Sequence, residues 1–314
     1  MTPSGRRHGG PAALPALLAL ALPLLCASGA ASTPDPTPAR STIELTQHGG
    51  GTLRLEQPAR RIVTLAPHLA ELVFLAGAGE RLVATVAYSD TPAEASELPR
   101  IGDAFRFDLE RLVALEPDLV LAWDSGNPDA ALAAMDRLGL PVWRTEIRDI
   151  PAMARLIEDL ASATRLPTSP EADAVRARWA ALGERYAGQR PLRYFYQVAE
   201  RPLYTINGEH LVSQALAACG GVNVFADLPT LAPQIGAEAV IAADPEILLA
   251  GRFDPDSDPL AGWRDWPGLG AVQRDAFILL PADRINRATP RMLDALEAAC
   301  ARMDEHRSRY GAAP

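Results

Sequence analysis

Short apolar runs and amphipathic stretches alternate along the chain from residue 61 onward. The apolar runs predict buried strands, and they lie at residues 61–65, 82–86, 119–123 and 141–145. The stretches between them predict helices at 67–76, at 109–115 and from a cap at Ser125 or Asn127 to Gly139. Strands that alternate with such helices form a mainly parallel sheet covered on both faces, so we predict an α/β lobe over residues 43–148.

This alternation stops in the middle of the chain. Residues 150–165 and 170–187 predict two consecutive helices with no strand between them, within a linking segment at 149–188. One face of the second helix is apolar, with Ala172, Val175, Trp179, Leu182 and Tyr186. A strand at 192–198 then opens a second α/β region that continues through residues 189–314. The predicted order is lobe, linking helices, lobe, and a cleft between two lobes is a favoured place for a ligand.

The second region partly repeats the first. Residues 109–122 and 237–250 each contain a helix, an acidic-proline-acidic stop and an apolar strand. Glu110 of the first copy matches Glu238 of the second. Any α/β chain contains helix–proline–strand units, but the matched glutamate at the head of both helices favours a true repeat of the lobe.

The N-terminus has the pattern of a secretory signal. Two arginines precede an apolar run at residues 12–25, and small residues suited to cleavage follow at 28–30. The alternative, a membrane-spanning helix, is disfavoured because the run is shorter than the ~20 residues that a bilayer needs. We therefore predict a signal peptide at residues 1–30, removed on export, and a flexible proline-rich leader at 31–42.

Charge and motif content exclude several functions. The formal net charge of −9 argues against a nucleic-acid partner, because phosphate binding needs clustered cations. The sequence carries no phosphate-cradling glycine loop and no Gly-x-Ser-x-Gly elbow, so we predict that the protein is not an enzyme.

Two cysteines, Cys219 and Cys300, remain after removal of the signal. In an oxidising compartment two cysteines favour one disulfide. The alternative is a pair of buried free thiols that behave as small apolar residues.

Aromatic residues follow the predicted strands of the first lobe. Tyr88, Phe105, Phe107 and Trp123 lie just after strands or in the loops that follow them. Ligands of open α/β sheets bind outside the carboxyl ends of the strands, where aromatic rings can bury a large flat molecule. The alternative is that some of these rings belong to the core.

Charged residues cluster after the predicted strand at 277–280 of the second lobe, namely Asp283, Arg284, Arg287 and Arg291. Paired cations beside an acid can bind amide or phosphate groups of a ligand. The alternative is a solvated helix start, because the last helix is predicted to begin at residues 289–291.

Histidines give little sign of a metal centre. His48, His68, His210 and His306 are scattered, and none is paired at a spacing typical of metal ligands, so we predict no resident metal. His68 follows a proline at a strand-to-helix turn. We interpret it as a hydrogen-bonded loop histidine, with a haem or metal ligand as the alternative.

These features together resemble the periplasmic solute-binding proteins for cobalamin, ferric siderophores and haem, and within that group the cobalamin-binding members. The resemblance covers residues 61–303, and it is carried by residues 65–72, 88–90, 108–112, 117–123 with 126–127, 219–225 and 287–291. Ala104 and Ala232 depart from the pattern, because cobalamin-binding members carry tryptophans at or near these positions.

The resemblance implies two Rossmann-like lobes joined by a single long backbone helix, here residues 170–187. It implies a monomeric periplasmic component of an ABC importer, with no cofactor, that binds cobalamin or a related corrinoid between the lobes. A ferric siderophore or haem is the alternative ligand. The ligand contacts expected from the resemblance are Pro67, Tyr88, Trp123, Asp283 and Arg287, and Phe105 lies close to the position of a lost tryptophan.

The same resemblance assigns roles to two further pairs of residues. Glu110 and Glu238 match the acids, one on each lobe, that meet arginines of a permease dimer. A matched acid on each lobe suits a two-fold symmetric membrane partner. Cys219 and Cys300 match a disulfide of cobalamin-binding members.

Overall fold

The computed structural model describes residues 42–310, and the first lobe begins with a hairpin of β1 (Ile43–Thr46) and β2 (Thr52–Leu55). Four parallel strands follow, β3 (Ile62–Thr64), β4 (Leu82–Ala84), β5 (Leu119–Trp123) and β6 (Val142–Thr145), in the order β4-β3-β5-β6. The helices of this lobe are α1 (Pro67–Leu75), α2 (Ala93–Ser96), α3 (Leu109–Ala114) and α4 (Asp129–Arg137). The predicted signal peptide and all but the last residue of the predicted leader lie outside the described residues.

The second lobe repeats this topology. Its strands are β7 (Leu192–Gln197), β8 (Gly221–Asn223), β9 (Ile247–Arg252) and β10 (Phe277–Pro281), all parallel and in the order β8-β7-β9-β10. Its helices are α7 (Leu211–Ala217), α8 (Ala237–Ala243), α9 (Gly270–Gln273), α10 (Ala282–Ile285) and α11 (Met292–Tyr310). In both sheets the order is second strand, first, third, fourth. The predicted class, α/β with two lobes, is confirmed.

This strand order places a crevice in each lobe. The chain reverses its direction across the sheet between the first and third strands, which are β3 and β5 in one lobe and β7 and β9 in the other. Ligands of doubly wound sheets bind at such switch points, outside the carboxyl ends of the strands. The residues that follow β3 and β5 are therefore the best placed in the first lobe to meet a ligand.

Two consecutive helices, α5 (Ile150–Thr164) and α6 (Pro170–Arg185), lie between the lobes in the chain. Arg176 of α6 donates to both carboxylate oxygens of Glu158 in α5, at 2.6 and 2.5 Å. Arg178 donates to Asp294 and Glu297 of α11, at 2.8 and 2.9 Å. Because residues two apart point to opposite sides of a helix, α6 is held from both sides.

The apolar core continues through these helices rather than ending at each lobe. One cluster of buried side chains includes residues of both sheets and of the helices between them, for example Leu121, Ile157, Val175, Phe195 and Leu296. Burial of apolar surface is the main source of folding free energy, so the two lobes and the linking helices stabilise one another.

The lobe repeat extends to individual hydrogen bonds. Asp118 after α3 accepts from the backbone N–H of Arg61 at 2.8 Å, and Glu246 after α8 accepts from that of Arg193 at 2.9 Å. The two arginines in turn donate to carbonyls at the ends of these helices, Arg61 to Leu115 and Arg193 to Ala243 and Asp244. The helices that carry Glu110 and Glu238 are therefore held in the same way in each lobe.

Cys219 and Cys300 form a disulfide that joins the turn after α7 to α11. The predicted disulfide is confirmed, and the alternative of two free thiols is wrong. No helix within residues 42–310 is long and apolar enough to cross a membrane.

We expect loss of this disulfide to lower the free energy of unfolding. The bridged cysteines are 81 residues apart, and closure of a loop of that size stabilises a fold by about 4 kcal/mol in the chain-entropy model. Urea denaturation of the Cys219→Ala/Cys300→Ala double variant measures the loss. A difference from wild type below about 1 kcal/mol would contradict this expectation.

Candidate ligand-binding site

A cavity of about 250 Å³ lies between the lobes, at the carboxyl ends of the strands. Pro67 and Trp123 line it from the switch point of the first lobe, and Asp283 and Arg287 line it from the second. Four of the six predicted ligand contacts therefore meet in one place. The other two, Tyr88 and Phe105, lie outside this lining on exposed loops, with 79% and 68% of their surface accessible.

Asn127 organises the first-lobe wall of the cavity. Its Oδ1 accepts from the backbone N–H of Trp123 at 2.7 Å, and its Nδ2 donates to the carbonyls of Leu65 and Ala104, each at 3.0 Å. One buried amide thus ties together the loops after β3 and β5 and the loop that carries Phe105. The prediction that Asn127 or Ser125 caps α4 is wrong, because Pro128 occupies the N-cap and the Asn127 side chain is committed to these loops.

Gly126 allows Trp123 to take its position. A Cβ added at residue 126 would lie 2.0 Å from Cε3 of the indole. No side chain fits in that space, so a glycine is required for the ring to lie against the turn that follows β5.

His68 is a buried polar residue of the cavity wall, with 7% of its surface accessible. Its ring meets that of Trp123 edge to face, with centroids 5.3 Å apart. Burial, together with the charge of Arg287, lowers the pKa of His68 to about 3, so the imidazole is neutral at physiological pH. The interpretation of His68 as a hydrogen-bonded loop histidine is wrong, because it is the second residue of α1 and its ring makes no hydrogen bond within residues 42–310.

Arg287 reaches across the cleft to the first lobe. Its Nη1 lies 2.7 Å from Oδ1 of Asp90, and its Nη2 donates to the carbonyl of Tyr88 at 3.5 Å. Partial burial raises the pKa of Asp90, but the hydrogen bond and charge of Arg287 outweigh it and hold that pKa below its usual value. Tyr88 has a φ of 65°, an uncommon conformation for a bulky residue, so the loop that receives Arg287 is strained.

Arg291 makes a second contact between the lobes. Its Nε and Nη2 donate to the two carboxylate oxygens of Glu71 at 2.9 and 2.8 Å, and the Glu71 side chain is only 4% accessible. Arg284, by contrast, pairs with Asp294 of its own lobe. Of the cationic cluster predicted to bind ligand, only Arg287 lines the cavity.

Sequence reasoning gave no role of their own to Glu71 and Asp90, and it named Asn127 only as a helix cap. The signal for Glu71 was its position, because it is the single charged residue in α1, and a charge on a buried helix requires a partner. Asp90 and Asn127 stand in turns, where polar residues are common and give no comparable signal.

Glu110 and Glu238 lie apart from the cavity lining, each in the first turn of its helix and each exposed to solvent. The Asp108 side chain caps the first of these helices by accepting from the N–H of Arg111 at 2.9 Å. Gly236 takes the N-cap position of the second without a side-chain cap.

The comparisons with known proteins agree with this architecture. The family model for periplasmic binding proteins matches residues 62–283. The chain belongs to the periplasmic binding protein family. Among its relatives, this periplasmic binding protein is 38% identical to the vitamin B12-binding protein of Vibrio cholerae over 246 residues, 77% of this chain and 88% of the relative. It is 34% identical to the vitamin B12-binding protein of Yersinia pestis over 249 residues, 79% of this chain and 87% of that one.

Solved structures show the same two-lobed fold. The periplasmic vitamin B12-binding protein of Vibrio cholerae matches with a TM-score of 0.73 and 36% identity, over 80% of this chain and 98% of that chain. The periplasmic haem-binding protein RhuT of Roseiflexus matches with a TM-score of 0.66 and 26% identity, over 79% and 99%. The scaffold of this periplasmic binding protein is therefore shared by proteins whose names specify different bulky metal chelates.

We expect Gly126→Ala to displace the Trp123 ring, because the new methyl group occupies the position of the indole. Tryptophan fluorescence should change, and urea denaturation should show a loss of about 1–3 kcal/mol from overpacking. Gly183→Ala in α6 is the control, because a Cβ there meets nothing within 4 Å and alanine favours a helix. Equal fluorescence and stability of both variants would contradict the expected clash.

Proposed function

We propose that this periplasmic binding protein captures cobalamin or a related corrinoid between its lobes and delivers it to an ABC permease dimer. Export would remove residues 1–30. The observation that carries the proposal is the cavity between the lobes, lined by Trp123 and Arg287, in a chain 38% identical to a vitamin B12-binding protein.

The chemistry of the cavity suits an amphipathic macrocycle. Trp123 offers an aromatic face to a flat ring system, and Arg287 and Asp283 can bind amide or phosphate groups at its edge. Ligands of drug size occupy pockets of roughly 300–1,000 Å³, so a corrinoid needs more room than the cavity between the lobes offers. We infer that it displaces Asp90 from Arg287 and extends over the loops that carry Tyr88 and Phe105.

Haem or a ferric siderophore is the second candidate. The observation in its favour is the likeness to RhuT, whose name specifies haem. Ala104 and Ala232 also count for it, because cobalamin-binding members carry tryptophans at or near these positions.

Titration of the exported protein with cyanocobalamin tests the proposal. We expect one ligand per chain, with a dissociation constant below about 1 μM. Trp123→Ala should weaken binding at least about tenfold, because buried tryptophans dominate binding energy. Trp266→Ala is the matched control, since this partly exposed tryptophan lies outside the cavity lining.

The result that would overturn the proposal is an absence of cyanocobalamin binding at micromolar concentrations. Haem or a ferric siderophore that bound instead, with an affinity lowered by Trp123→Ala, would establish the second candidate.

We also propose that Glu110 and Glu238 dock one copy of the chain onto a two-fold permease. The support is their equivalent placement, because Arg61 and Arg193 hold the two helices through the same pattern of hydrogen bonds. Equivalent acids on each lobe complement equivalent cationic sites on a symmetric partner.

Charge reversal separates docking from capture. Glu110→Arg with Glu238→Arg should abolish cobalamin uptake by cells while the affinity of the purified protein stays within about twofold of wild type. Glu184→Arg, at an exposed position of α6, is the control and should leave both unchanged. If affinity falls as far as uptake, the assignment of these glutamates to docking is wrong.

A further inference from the structure

His68 is a buried polar side chain without a polar partner. Its imidazole lines the cavity between the lobes, contacts Trp123 through a ring edge and makes no hydrogen bond within residues 42–310. The ring nitrogens of His68 are not among the buried side-chain atoms that lack a partner in the described residues, so they are open to the cavity that the ring lines. A ligand that enters the cavity can supply the missing partner.

His210, which lines the same cavity, provides a contrast. Its Nδ1 accepts from the backbone N–H of Val212 at 3.2 Å and so caps α7. Burial, together with the charge of Arg148, lowers the pKa of His210 to about 4, so this ring is also neutral. A neutral imidazole has one acceptor nitrogen, and in His210 the backbone occupies it. In His68 the acceptor nitrogen is free to bind a ligand.

The neutral ring of His68 is also in the form that binds metals, because coordination uses the lone pair of an unprotonated nitrogen. Its orientation is restrained, since it lies in the first turn of α1 and its ring packs perpendicular to that of Trp123. Groups of three or more metal-binding side chains are absent from the part of the chain that the structure describes. A single donor suits a metal whose other ligands belong to a bound chelate.

We propose that His68 is an axial ligand to the metal of a planar chelate bound between the lobes. This inference rests on the proposed function. It adds that the protein recognises the ligand through an axial coordination position of its metal. The imidazole nitrogen donates its lone pair to the metal as an exchangeable axial ligand, such as water, leaves. No electron is transferred, and the proton on the other ring nitrogen stays in place.

Axial ligation by His68 would make the protein selective among forms of one chelate that differ in their axial ligand. Aquocobalamin has a water molecule at an axial position and can accept His68. Cyanocobalamin holds cyanide there, so it can be bound only through its periphery. The bound metal should therefore distinguish these forms by spectrum as well as by affinity.

Visible spectroscopy of the exported protein tests this selectivity. Aquocobalamin should shift its absorption bands on binding to wild type and to the control variant His48→Gln, because His48 lies outside the lining of the cavity between the lobes. Aquocobalamin should bind to His68→Gln without the shift and at least about tenfold more weakly. Loss of a group that only orients a metal ligand already lowers metal affinity by about 10–100-fold. Cyanocobalamin should bind to wild type and to His48→Gln alike, and its absorption bands should not shift with any of the three proteins.

Two further measurements keep the result interpretable. His68→Ala leaves a space beside Trp123. Free imidazole added to this variant should fill that space and restore the spectral shift. Ferric haem replaces aquocobalamin in a parallel series, and a histidine-dependent shift with haem alone would assign the site to an iron porphyrin.

The outcomes separate the two proposals. If cyanocobalamin and aquocobalamin both bind to wild type with no spectral shift, and ferric haem gives no histidine-dependent shift either, axial ligation by His68 is wrong and the proposed function stands. If neither cobalamin nor haem binds, both proposals fall. A shift that survives His68→Gln would also overturn the role of His68.

Discussion

The ion pair between Glu71 and Arg291 sets the geometry on which the rest of the cleft depends. It joins the first helix of one lobe to the start of the last helix of the other, with two hydrogen bonds to a carboxylate that is almost fully buried. Removal of one partner from such a pair leaves a buried charge unpaired and lowers the free energy of unfolding by about 3–5 kcal/mol. This contact therefore fixes α1, which begins with Pro67 and His68, relative to the residues of the second lobe that complete the cavity.

The second contact between the lobes differs in exposure, and that difference suggests how a ligand enters. Asp90, the partner of Arg287, is largely exposed, whereas Glu71 is not. Exposed ion pairs contribute about 0–1 kcal/mol, so a ligand group can replace Asp90 at Arg287 at little cost. We infer that the buried pair stays intact when a ligand group replaces Asp90 at Arg287. The continuous apolar core through α5 and α6 limits how far the lobes can part.

The two lobes share more than a fold, and the shared details include the hydrogen bonds that hold two equivalent helices. The equivalent helices α3 and α8 are each anchored by an arginine from the first strand region of the lobe and followed by an acid that binds the backbone of that same segment. A repeat that preserves these bonds presents Glu110 and Glu238 alike. The cavity is less symmetric, because Trp123 lines it from the first lobe where Asp283 and Arg287 line it from the second.

Much of the fold was determined by the sequence alone. The alternation of apolar runs predicted both sheets, and the repeat around Pro117 and Pro245 predicted two equivalent lobes. The position after β5 predicted that Trp123 faces a ligand, whereas Pro67 was expected from the family resemblance. These features depend on spacing within an element or on the direction of parallel strands, which a sequence records directly. Only the tertiary structure decided that Arg291 binds Glu71, 220 residues away, that Arg287 binds Asp90, 197 residues away, and that His68 has no polar partner. Each of these depends on how one lobe packs against the other, because a side chain finds its partner across a cleft and no local pattern encodes that distance.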